Sequence, residues 1–175
     1  MRLIGLDPGL RLTGWGVVDV APGRLAHIAN GVVKSNARDP LSERLNQIHQ
    51  GLVKIITEWQ PDAAAVEETF VNQNPASTLK LGQARGAVIV AAAGAGLQVA
   101  EYAPNRIKKS VVGVGHASKV QIRDMVGMLL PGCAIAGEDA ADALAVAICH
   151  AHHMETAARW SEEPSHANSG AGGGR

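Results

Sequence analysis

Arg2-Leu3-Ile4-Gly5-Leu6-Asp7-Pro8-Gly9 is the stretch on which the fold turns. Residues 2–6 are an apolar run, and Asp7-Pro8-Gly9 stops it. This predicts a buried strand that delivers an acid at its C-terminal end into a turn. Leu12 to Val20, bracketed by Gly9 and the Ala21-Pro22-Gly23 turn, reads as a second strand, and Leu25 to Lys34 as a third. The opening is therefore an antiparallel meander. A βαβ unit would already have entered a helix.

Beyond Pro40 the period changes. Leu41, Leu45, Ile48, Leu52, Ile55 and Trp59 recur at steps of three and four, the stripe of an amphipathic helix. Gln60-Pro61-Asp62 closes it, and Ala63 to Val66 is an apolar run leading into Glu67-Glu68. A strand that follows a helix after a short turn pairs in parallel with the first strand. Asp7 and Glu67 then emerge at the same edge of the sheet. Further on, the pattern predicts a helix from Pro75 to Ala93, a strand from Leu97 to Tyr102, and two short helices over Pro104–Val112 and Lys119–Leu130. A last helix is expected over Glu138–His153. The expected architecture is an α/β domain: a five-stranded mixed sheet, its first three strands antiparallel, flanked by helices. Residues 1–158 form this domain, and 161–175, rich in Gly and Ser, are expected to be a disordered tail.

Composition narrows the function classes. The chain has 175 residues, with 16 Lys+Arg against 16 Asp+Glu, so binding as a bulk polycation is excluded. Apolar residues make up 46% but aromatics only 3%, so the core is built from Ala, Val, Leu and Ile. Cys133 and Cys149 are too few for a disulfide framework and lie outside CxxC spacing, which points to a reducing, cytoplasmic setting. The apolar run from Gly86 to Leu97 falls short of the roughly 20 residues that a bilayer needs, so no membrane association is expected. The N-terminal run is too short for a signal peptide.

Asp139 and Asp142 stand three apart at the start of the last helix and share a face. Capping and the helix dipole alone would explain two acids there. Ala140, Ala141, Ala143 and Ala145 around them suggest room for a ligand. With Asp7 and Glu67, four carboxylates can converge. Clustered ionised acids repel one another and take up protons unless a counter-charge is supplied. Divalent metal resolves the conflict, and all-oxygen donors select Mg²⁺, with Mn²⁺ as a substitute, over zinc. Two such ions about 4 Å apart can activate water on one side of a phosphodiester and stabilise the leaving oxygen on the other.

Six segments in order add a specific resemblance. They are Gly5-Leu6-Asp7-Pro8-Gly9, Thr13-Gly14-Trp15-Gly16, Val66-Glu67-Glu68-Thr69-Phe70, Leu79-Lys80-Leu81-Gly82-Gln83-Ala84-Arg85-Gly86, Val111-Val112-Gly113-Val114-Gly115 and Asp139-Ala140-Ala141-Asp142-Ala143-Leu144-Ala145. They resemble the RuvC family of bacterial Holliday junction resolvases, over residues 1 to about 153. The resemblance implies a ribonuclease-H-like fold and a homodimer. It further implies Mg²⁺-dependent cleavage of four-way junction DNA in recombination and repair, with a junction-bound branch-migration motor of the RuvA and RuvB type as partner. The family's four catalytic acids correspond to Asp7, Glu67, Asp139 and Asp142; Glu68 and Glu138 match none of them.

Net neutrality is awkward for a DNA enzyme, because phosphate contacts dominate affinity. The distribution answers this. Between Lys80 and Arg123 seven basic residues face one acid, Glu101. Lys80, Arg85, Lys108, Lys109 and Lys119 are the candidate phosphate contacts, and Lys108 and Lys119 match family lysines at the cleavage site. Phe70, the only Phe, is either a core anchor or an exposed wedge that unstacks a base step. The resemblance favours the wedge. His150, His152 and His153 lack partners at zinc spacing and are expected in a final helical turn, stabilised by its dipole. His116 is expected in a solvated loop.

Three other function classes compete. Actin-like ATPases and sugar kinases open with a comparable Asp-Gly turn, but 175 residues cannot hold their duplicated domains. A non-catalytic junction scaffold gains nothing from four repelling acids beside phosphates. A nuclease acting on structured RNA or other branched DNA is the nearest competitor.

Overall fold

In the computed structural model, residues 1–68 and 74–162 are described. The elements are β1 (Arg2–Asp7), β2 (Leu12–Ala21), β3 (Arg24–Lys34), α1 (Leu41–Trp59), β4 (Ala63–Glu67), α2 (Pro75–Gly94), β5 (Gln98–Tyr102), α3 (Pro104–Val112), α4 (Lys119–Leu129) and α5 (Glu138–Glu162). They form one five-stranded sheet in the order β3-β2-β1-β4-β5. The β1–β2 and β2–β3 pairs are antiparallel, and β4 runs parallel to both β1 and β5. The expected topology is the observed one.

Local chemistry sets the element ends. Asn74 caps α2, its side-chain oxygen accepting from the N–H groups of Ala76 and Ser77, and Pro75 occupies the first turn. Ser118 and Gln121 form a reciprocal capping box on α4. At the end of α1, Gln60 takes a left-handed conformation (φ 48°) and Pro61 blocks continuation.

The sheet is covered on both faces, which explains why β1 and β4 read as unbroken apolar runs. Ile4, Leu6, Val17, Ile48, Leu52, Val66 and Val88 pack on the α1 and α2 side. Leu3, Val18, Ala65, Leu144, Val146 and Ile148 pack on the opposite side beneath α5, with Ile107, Ile122 and Val126 from α3 and α4.

α5 lies unusually close to β1 and β2. A Cβ on Gly5 would stand 2.1 Å from the Ala143 carbonyl oxygen, and one on Gly16 would stand 2.6 Å from the Leu144 side chain. This corrects the reading of the alanines. Ala140, Ala141, Ala143 and Ala145 are buried, and the Ala143 carbonyl lies against Gly5; their small size serves close packing of α5, not room for a ligand.

One further expectation changes. α5 continues to Glu162, well past His153, because no residue before Pro164 forbids it. Ser161, assigned to the tail, therefore lies within the helix, and 163–175 fall outside the described residues. Gly82 and Gly86 lie on an open face of α2, with nothing within 4 Å of a Cβ built on either. They do not pack against the sheet.

Candidate active site

The β1–β4 register aligns Leu6 with Val66, so Asp7 and Glu67 leave neighbouring parallel strands side by side. Thr13, fully buried, fixes the turn after Asp7: its hydroxyl donates to the Gly9 carbonyl at 2.8 Å. The third and fourth acids arrive from above, on the first turns of α5. Gly14, directly across β2 from Asp7, admits the backbone of Asp139. Asn30 on β3 anchors the loop before α5. Its amide nitrogen donates to the Ala134 carbonyl at 3.0 Å, and its oxygen accepts from the Ala136 N–H at 2.8 Å. Sequence reasoning missed Asn30. The one available signal was a strand-interior amide, a residue type that strands disfavour.

The acids feel one another. Burial first, then the charges of Glu67, Asp142 and Asp139, push Asp7 up to about 8. Burial and Asp142 push Glu67 up to about 7, with Lys108 and Lys119 opposing. Burial also raises Asp142, against the pull of Lys119. All four are hard oxygen donors whose mutual repulsion Lys108 and Lys119 offset only in part, and a hard divalent cation satisfies that chemistry. Among the described residues, no three His, Cys, Asp or Glu side chains are already drawn together as a metal cage.

The basic candidates divide. The Lys119 ammonium lies 3.3 Å from Asp142 and 3.7 Å from Glu138. Lys108, half-buried on α3, acts electrostatically on Glu67. Lys80 and Lys109 are exposed, on α2 and α3. Arg85 is a different matter: it forms an ion pair with Glu101, tying α2 to β5, so its charge is already matched within the fold. Phe70 lies outside the described residues.

The histidines are not in a final helical turn, which corrects the dipole reading. They clasp α5 to β5 and α3. Tyr102 Oη lies 2.8 Å from His150 Nδ1, Arg106 donates to His153 Nε2 at 3.0 Å, and Ser110 Oγ lies 3.2 Å from His152 Nδ1. His153 also stacks on Tyr102. Burial holds His150 and His153 below the usual histidine range, with Arg106 and His152 adding to the effect on His153. A depressed histidine pKa lets the unfolded chain protonate first, so the clasp loses stability as pH falls below about 6.5. His153→Gln keeps an acceptor for Arg106 without the titration. In melts from pH 8 to 5, its Tm should fall roughly 2 °C less than the parent's; parallel curves would remove His153 from the acid response.

The family model described as crossover junction endodeoxyribonuclease RuvC matches residues 3–150. The chain belongs to the RuvC family. The RuvC of Paramagnetospirillum magneticum is 60% identical over 156 residues, covering 89% of this chain and 94% of that one. The RuvC of Rhodospirillum rubrum is 58% identical over the full length of both. Among solved structures, Thermus thermophilus RuvC in complex with Holliday junction substrate superposes with a TM-score of 0.83 at 36% identity, covering 90% of this chain and 96% of that one. The yeast mitochondrial Holliday junction resolvase shares the fold alone, with a TM-score of 0.64 at 11% identity. The fold is ribonuclease-H-like, as the RuvC resemblance implied. Among the described residues, no helix is long and apolar enough to cross a membrane.

Proposed function

We propose that the chain is a cytoplasmic, structure-specific endonuclease that resolves four-way DNA junctions by paired, symmetric phosphodiester hydrolysis. The observation that carries this reading is the meeting of Asp7 and Glu67 at adjacent strand ends beneath the Asp139 and Asp142 turns of α5, with Asp7 pushed up to about 8 by burial and its acidic neighbours. Such a cluster is costly in isolation and useful only against cations and phosphate.

Asp7, Glu67, Asp139 and Asp142 would hold two Mg²⁺ ions, with Mn²⁺ as a substitute. When bound, the ions supply Lewis acidity that lowers the pKa of water and offsets charge on the leaving 3′-oxygen. The chain's own cations complete the site. Lys119 and Lys108 face the acids and are placed to neutralise the non-bridging oxygens of the scissile phosphate. Lys80 and Lys109, exposed nearby in sequence, add phosphate contacts that position the duplex arms without reading sequence. Phe70 wedges the crossover. Hydrolysis breaks the P–O3′ bond, leaving a 5′-phosphate and a 3′-hydroxyl that ligase can join.

Purified protein should be offered a four-way junction, matched duplex, a flap and an RNA–DNA hybrid in Mg²⁺. Paired nicks on strands of like polarity, confined to the junction and sealable by ligase, are expected. Equal rates on duplex or hybrid would overturn the assignment.

Paired cuts need two sites related by a two-fold axis, which a homodimer supplies. The open Gly82/Gly86 face of α2 supports that contact, since it admits close approach of a second backbone. A junction-bound motor of the RuvA and RuvB type would deliver the substrate. Gly86→Arg adds bulk where nothing lies within 4 Å, so the fold should survive. Sedimentation should show the variant shifted at least tenfold toward monomer, with uncoupled single nicks replacing paired ones; an unshifted dimer would place the contact elsewhere.

A further inference from the structure

The cations that act on the acid cluster come from one flank: Lys108 from α3 and Lys119 from the start of α4. A DNA strand carries charge at every nucleotide, so a strand crossing the site needs compensation on the other flank as well.

That flank holds a cavity of about 560 Å³ that the reading above leaves unused. It lies between the paired ends of β2 and β3 and the loop entering α5, and Asp139 stands among its lining residues. Arg11 and Lys34 line it too, together with Ser35, Asn36 and Gly137. Both cations are exposed. Among the described residues, neither makes an ion pair or a side-chain hydrogen bond. Other cations of the chain are committed: Arg2 to Asp19, Arg85 to Glu101, and Arg44 to the Leu10 carbonyl at 3.1 Å and the Ser35 hydroxyl at 3.0 Å.

Those Arg44 bonds matter to the cavity. They brace Leu10 and Ser35, the residues next to Arg11 and Lys34. The Ser35 N–H donates to the Arg11 carbonyl at 3.1 Å, and Leu12 pairs with Lys34 across the ladder. The two cationic side chains thus project from a fixed frame, and ordering them on a ligand costs little backbone entropy. Two like charges held side by side repel, and a polyanion relieves that repulsion.

We propose that Arg11 and Lys34 form a second phosphate-binding groove. It takes the DNA backbone on the Asp139 side of the scissile phosphate, opposite the Lys108 and Lys119 flank. This rests on the junction-nuclease reading and deepens it. The groove offers charge and a guanidinium fork, and it sets the register of the strand rather than the sequence cut.

The test uses full-length protein. Arg11→Ala combined with Lys34→Ala is compared with the charge-keeping pair Arg11→Lys and Lys34→Arg, and with Lys54→Ala, which removes an exposed cation from α1. Four-way junction binding is measured in Ca²⁺ across a salt series, with melting temperature alongside. The double alanine variant should bind at least tenfold more weakly, with the slope of log K against log salt reduced by about 1.8. Its Tm should match the parent's, and its kcat at saturating junction should stay within a few-fold. The charge-keeping pair should restore affinity, and Lys54→Ala should change neither quantity. Parent-like affinity and slope in the double variant, or an equal loss in Lys54→Ala, overturns the groove alone. A parent that fails to bind junctions overturns the nuclease reading and the groove with it.

Discussion

Asp7→Asn is expected to lower junction cleavage in Mg²⁺ by at least a hundredfold while leaving junction binding within a few-fold of the parent. The asparagine keeps the shape of the side chain and loses the charge that would hold a divalent ion, so binding of the arms survives and hydrolysis does not. Activity above a few percent of the parent would remove Asp7 from the metal-holding set.

The same substitution has an opposite effect on stability, and its pH dependence follows from the raised pKa. Below about pH 4 Asp7 is neutral in folded and unfolded chains alike, so it contributes nothing. Between pH 4 and 8 the unfolded chain ionises while burial and the other acids keep the folded group protonated. Over that window the folded state loses stability, on the order of 5 kcal/mol at most at about 1.4 kcal/mol per pKa unit. Asn escapes this cost. In chelator, the Tm gain of Asp7→Asn over the parent should grow from near zero at pH 4 to roughly 5 °C or more at pH 8. Mg²⁺ should then raise the parent and not the variant. A gain independent of pH would mean that burial and the neighbouring acids do not hold Asp7 protonated.

What could be read in advance, and what could not, divides along a physical line. Strand order followed from local grammar. Asp-Pro-Gly after an apolar run stops a strand, a helical stripe after it forces a crossover, and parallel pairing then puts Asp7 and Glu67 at one edge. The same reasoning could not see α5. Its alanines looked like space around two acids, because nothing local says that Gly5, Gly14 and Gly16 on two other strands lie against α5. Arg85 and Lys119 were equally basic by composition. The resemblance singled out Lys119, but only tertiary contact shows Arg85 bound to Glu101 across α2 and β5. The histidines were misplaced for a related reason. A helix end was assumed at His153 where no residue terminates the helix, and their true partners, Tyr102, Arg106 and Ser110, are more than forty positions away. Asn30 is the sharpest case: it anchors a loop over a hundred residues later in the chain.

That close packing makes Gly14→Ala a severe change for one methyl group. A Cβ at position 14 would stand 2.0 Å from the Asp139 carbonyl oxygen and 3.2 Å from the Asp139 Cβ. The carbonyl belongs to helix backbone and cannot rotate away, so the first turn of α5 must move by more than 1 Å to restore van der Waals distance. Asn30 holds the loop behind that turn, and Ala143 lies hard against Gly5 further along, so the displacement is confined to the segment carrying Asp139 and Asp142. A shift of that size at a reacting centre costs on the order of a hundredfold in rate. Overpacking of this kind destabilises by only about 1–3 kcal/mol. Gly14→Ala should therefore remain folded at 25 °C, bind junctions in Ca²⁺, and cleave them roughly a hundredfold more slowly. Gly127→Ala serves as the control: the same methyl enters open space in the interior of α4, where alanine is favoured by up to about 1 kcal/mol, and cleavage should be unchanged. If Gly14→Ala cuts at the parental rate, α5 tolerates displacement and the acids it carries are not held to a fixed geometry.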